Sequence, residues 1–96
     1  MNFKVNKSNI EVSGTYLQGH ITATYDELVK AFGEPEEGCD KVMAEWNIKF
    51  ADGTIATIYD WKNYHLKTAE SVTDWHVGGF TGLSVVLVDE VLINSK

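Results

Sequence analysis

Residues Val42–Trp61 read VMAEWNIKFADGTIATIYDW, and their patterning decides the architecture of the chain. Val42, Ala44, Trp46, Ile48 and Phe50 alternate strictly with Met43, Glu45, Asn47 and Lys49. A period of two puts the first set on one face of a strand and buries that face. Ala51-Asp52-Gly53 then reads as a turn, with Gly53 supplying the positive φ. Two registers are open. A two-residue Asp52-Gly53 loop pairs Phe50 with Ile55 and sets Glu45 against Asp60, a repulsive pair. A three-residue loop with a glycine bulge pairs Phe50 with Thr54, and joins Trp46, Ile48 and Phe50 to Ala56 and Ile58 in one apolar face. The second register is expected. It leaves Ile55, Tyr59 and Trp61 on the opposite face with Met43 and Glu45, and a face so aromatic is either covered or used for binding.

Upstream, Thr24 is placed to cap a helix, and Glu27 three residues on completes a capping box. Tyr25, Leu28, Val29 and Phe32 form its apolar stripe, Gly33 terminates it, and Pro35 lies just beyond. Short strands are expected at Phe3–Asn6 and Ile10–Val12, and a longer extended piece at Thr15–Ala23, interrupted by Gly19. Glu34 to Asp40 reads as a polar loop, and Lys62 to about Thr73 shows no clear period. Thr73–Val77 reads as a strand ending at Gly78-Gly79. Leu83–Ile93 admits two readings. Its β-branched residues suit a strand, while its length and Thr81 as a cap suit a helix; the helix is expected. The fold class that follows is α+β: one domain over residues 1–96, an antiparallel sheet of about five strands, and one or two helices packed on one face, in the order β-β-β-α-β-β-β-α.

Composition narrows the function classes. At 44% hydrophobic and 23% charged, the 96 residues suit one globular domain. No apolar run approaches the ~20 residues of a membrane span, and Met1–Val12 lacks the apolar core of a signal peptide. The single cysteine, Cys39, allows no internal disulfide, so a cytoplasmic setting is expected. Fourteen acidic residues face eight lysines and no arginine, for a formal charge of −6. Nucleic-acid modules need a basic face, so direct nucleic-acid binding is not expected.

Three strings carry a family resemblance: Glu45-Trp46-x-Ile48-x-Phe50-x-Asp52-Gly53-Thr54-x-Ala56-Thr57-Ile58-Tyr59-Asp60-Trp61-Lys62, Tyr25-Asp26-Glu27-Leu28-Val29-x-Ala31-Phe32-Gly33-Glu34-Pro35, and Thr73-Asp74-Trp75-His76-Val77-Gly78-Gly79. Together they resemble a family of small, uncharacterised proteins encoded mostly by bacteriophages. The resemblance spans about Tyr16 to Gly79, and its WHxGG end is the most specific part. It implies an accessory protein made in a bacterial cytoplasm that binds a host protein and inhibits or modulates it, an anti-defence role among the options. It implies no catalytic residues.

Tyr59, Trp61, Tyr64 and Trp75 are the candidate protein-binding residues, because interfaces favour Tyr and Trp as anchors; the competing reading puts two of the three tryptophans in the core. Gly78, Gly79, Thr81 and Gly82, between a strand and the expected helix, resemble an anion cradle and support the alternative of a small-ligand or nucleotide binder. The Gly-Lys-Ser/Thr of a phosphate loop is missing, and tight packing at a corner explains the glycines more simply. Asp74 and His76 share a strand face at the spacing of two metal ligands, but a third from Asp60, His65 or His20 is not placed, so no metal is expected. Cys39 lies among Glu36, Glu37 and Asp40, which raise rather than lower a thiol pKa. No catalytic residue, no enzyme activity and no cofactor are expected. A homodimer through an open sheet edge is compatible with the pattern.

Overall fold

The computed structural model describes residues 2–6, 10–37, 43–61 and 71–95. The elements are β1 (Phe3–Val5), β2 (Tyr16–Thr22), α1 (Tyr25–Phe32), β3 (Glu36–Glu37), β4 (Ala44–Phe50), β5 (Ile55–Tyr59), β6 (Asp74–Gly79) and α2 (Leu83–Ser95). The strands form an antiparallel sheet in the order β1-β4-β5-β6-β2, with the two-residue β3 paired to the other end of β4. This is the expected α+β class.

The hairpin takes the three-residue register. Trp46 lies opposite Ile58 and Ile48 opposite Ala56. Phe50 donates its N–H to the Thr54 carbonyl at 2.9 Å, and Gly53, at φ 92°, donates back to the Phe50 carbonyl. The apolar faces therefore add up: Trp46, Ile48, Phe50, Ala56, Ile58, Trp75 and Val77 are all buried beneath the helices.

Helix α1 has the ends its residues dictate. The Thr24 hydroxyl accepts from the Glu27 N–H, the Glu27 carboxylate accepts from the Thr24 N–H, and Gly33, at φ 85°, donates to the Val29 carbonyl. It buries Leu28 and Phe32 against the sheet. The Gly33 carbonyl accepts the indole N–H of Trp46 at 2.8 Å, so the helix end is tied to the hairpin.

Leu83–Ser95 is a helix, and its seat explains a glycine. Gly79 faces α2, and a Cβ there would run into the Ser84 side chain and come within 2.9 Å of the Ile55 carbonyl. The buried Ser84 hydroxyl donates to that same carbonyl at 2.6 Å. Gly79→Ala is therefore expected to cost about 2–3 kcal/mol of stability through overpacking. A denaturation midpoint unchanged by this variant would remove Gly79 from its role as the seat of the helix.

Three local expectations are corrected. Ile10–Val12 forms no strand. Strands β1 and β2 lie at opposite edges of the sheet, so the chain between them must cross it. Val12 and Thr15 line one groove together with Thr57 and Tyr59, which places this crossing on the face away from the helices. It leaves β1 at Asn6, whose φ of 55° is tolerated by Asn better than by most side chains. The Asn6 side chain accepts from the Asn47 N–H and donates to the Glu34 carbonyl, which holds the exit in place. The second correction is Glu36–Glu37, expected in a loop but paired as β3 with Ala44 and Glu45. β6 also runs through both glycines rather than stopping before them.

Candidate functional site: the open face of the sheet

Alternation sends Glu45, Asn47, Thr57, Tyr59, His76, Gly78 and His20 to the face away from the helices. Strand pairing then brings side chains from three separate segments into one row of rings. Trp61 and Tyr59 meet edge to face at 6.3 Å between centroids, Tyr59 and His76 at 5.4 Å, and His76 and His20 at 4.5 Å. Beside this row a groove of about 280 Å³ opens between the crossing segment and the sheet, with Tyr16, Glu45, Tyr59 and Trp61 around it and Thr57 and Gly78 at its floor. Gly78 keeps that floor low: a Cβ there would approach the Thr57 hydroxyl at 2.5 Å and the Tyr59 ring at 3.6 Å.

Of the expected protein-binding residues, Tyr59 and Trp61 stand together on this face. Trp61 is 41% exposed, while Tyr59 is half-buried and its phenol pKa is raised by that burial. Trp75 is a correction. It is 0% exposed, packs edge to face on Trp46 at 5.3 Å, and donates its indole N–H to the Ala23 carbonyl at 2.9 Å. Its strand position has the parity of Val77, which faces the helices, so the ring belongs to the core. Tyr64, Cys39 and His65 lie outside the described residues.

The glycine corner is built for packing. Gly78 and Gly79 sit within β6. At the start of α2, the Leu83 N–H is engaged by the Thr81 hydroxyl at 3.3 Å, the Ser84 N–H by the Thr81 carbonyl, and the Val85 N–H by the Gly82 carbonyl. Three amides of the first turn of α2 are thus bonded within the turn.

Asp74 and His76 occupy neighbouring positions of β6 whose side chains lie on the open face, and His20 pairs across the strand with His76. His20 and Asp74 approach only to 4.0 Å between exposed side chains, a weak contact. Among the described residues no group of three or more His, Cys, Asp or Glu is arranged to hold a metal ion. Asp60, one of the three candidates for a third ligand, is wholly buried, and its carboxyl accepts from the Met43 and Ala44 N–H groups.

Burial holds His76 below the ordinary imidazole range, and His20 adds to this; Asp74 and Asp60 pull weakly the other way. The unfolded chain therefore takes up this proton at a higher pH than the folded one. Stability from the neutral ring is complete above pH ~6.5 and is lost as pH falls through the lower folded value. The thermal midpoint is expected to drop on acidification across that window, and His76→Gln to flatten the drop. An equally steep profile in the variant would exclude His76 as its origin.

Sequence reasoning named His20 only as a possible metal ligand without placing it on this face, and it missed the Glu36–Glu45 pairing. Each depends on which strands become neighbours, and no local pattern encodes that. Among the described residues no helix is long and apolar enough to cross a membrane. Comparisons of the chain with family models, curated proteins and solved structures find no match.

Proposed function

We propose that this chain is a small protein-binding modulator whose partner docks on the open face of the sheet. The observation that carries this reading is the asymmetry between the two faces. One is closed by α1 and α2 over a continuous core. The other presents a row of aromatic rings beside a groove, with Trp61 41% exposed at its rim. Rigid aromatic side chains held by a sheet lose little entropy on binding, which is why Tyr and Trp serve as interface anchors. The likeness of Tyr16–Gly79 to small phage-encoded proteins supports a host protein of the bacterial cytoplasm as the partner, with a component of a defence system among the candidates. The acidic chain, at −6, favours a partner of opposite sign.

The test is affinity capture from bacterial lysate with the wild-type chain, Tyr59→Ala and Trp61→Ala in parallel, followed by titration of the captured protein. Each substitution is expected to weaken binding by roughly 2 kcal/mol, about thirtyfold, while leaving the domain folded. A partner held equally well by all three chains would exclude this face as the binding surface.

A further inference from the structure

We propose that the groove beside Glu45 receives a cationic side chain, lysine or arginine, from the protein partner. This rests on the open face being the docking surface, and it specifies what the partner inserts there.

The groove combines the two features that select an organic cation. Tyr59 and Trp61 supply aromatic rings, whose faces attract positive charge. Glu45, opposite Tyr59 across the hairpin, supplies the one charged group that the described residues bring to the lining. That carboxylate is poorly compensated. It is half-buried, and Glu36 sits directly across the strand pair from it, a like-charge juxtaposition. Among the described residues no lysine pairs with it. Lys49, on the same face of β4, is four residues along the strand, ~13 Å away at the rise of an extended chain. Burial, and then Glu36, accordingly push the Glu45 carboxyl above its usual range. A cation in the groove would relieve both.

The other occupants fit less well. An apolar side chain would finish the desolvation of Glu45 and leave its charge without a partner. An anion would meet Glu45 and Glu36 together. A neutral planar group could stack on the rings but would return nothing to the carboxylate. The chain carries no arginine of its own and a net charge of −6, so its overall field favours the approach of basic groups.

The test is an amide and indole NMR titration with N-acetyl-lysine N-methylamide and N-acetyl-arginine N-methylamide, against the uncharged N-acetyl-norleucine N-methylamide at equal concentrations. Saturable shifts are expected for the Glu45, Tyr59 and Gly78 amides and the Trp61 indole with the charged probes, and not with norleucine. Glu45→Gln should weaken them about tenfold, the loss of one charge-assisted contact. Because this substitution removes a repulsion with Glu36, its fold should persist, and the unshifted core indoles of Trp46 and Trp75 report on that. Equal shifts from norleucine, no saturable shift, or an unaffected Glu45→Gln chain would each overturn the inference. Capture of the protein partner separates the two levels. If Trp61→Ala loses the partner and Glu45→Gln keeps full affinity, the face binds protein without a cation in the groove. If both keep it, the docking surface itself is misplaced.

Discussion

Trp75→Ala is expected to lower the unfolding free energy by about 3–5 kcal/mol, as much as Trp46→Ala, whereas Trp61→Ala should cost under ~1 kcal/mol. Trp46 and Trp75 are both 0% exposed and pack edge to face at 5.3 Å between β4 and β6. Each also closes a backbone account. Trp46 donates to the Gly33 carbonyl at the end of α1, and Trp75 to the Ala23 carbonyl at the end of β2. Truncation opens a cavity where two indoles met, and it strands a carbonyl that had a buried partner. Trp61 is 41% exposed, so its removal opens no enclosed cavity. Urea denaturation of the three variants decides the matter. A Trp75→Ala chain as stable as Trp61→Ala would place Trp75 outside the core.

Asp60→Ala is expected to cost about 3 kcal/mol, and Asp60→Asn distinctly less. One carboxyl oxygen of Asp60 accepts the Met43 N–H at 2.8 Å and the Ala44 N–H at 3.0 Å, at the point where the chain enters β4. The residue is wholly buried, and its second oxygen has no hydrogen-bond partner among the described residues. Alanine would leave two N–H groups unpaired, one of them fully buried, at about 1–3 kcal/mol for each group left unsatisfied. Asparagine keeps the bridging acceptor and exchanges an orphaned oxygen for an orphaned amide. The ratio of the two losses, read from chemical denaturation, is the informative quantity. Equal losses would mean that the bridge to Met43 and Ala44 carries little of the stability.

Much of this fold is legible in local residue patterns. The Val42–Phe50 alternation, the Asp52-Gly53 turn and the gain from merging Trp46, Ile48 and Phe50 with Ala56 and Ile58 specify the hairpin and its register, because a one-residue slip would turn every side chain to the wrong face. Thr24, Glu27 and Gly33 specify both ends of α1, since capping is chemistry between residues three or four apart. The candidate site is legible only in half. Tyr59 and Trp61 share a face by hairpin parity, and that follows from the residues. Their joining to His76 and His20 does not. It requires β6 to lie beside β5 and β2 beyond it, and many strand orders are compatible with the same periodicities. The same non-local choice sends Trp75 into the core and turns Ile10–Val12 from a strand into a crossing. It also places Glu36 against Glu45, where two acidic residues far apart in sequence become a like-charge pair beside the groove. Side-chain period states which residues share a face of one strand; which strands adjoin, and hence what each face meets, is settled by how the whole core closes around Trp46 and Trp75.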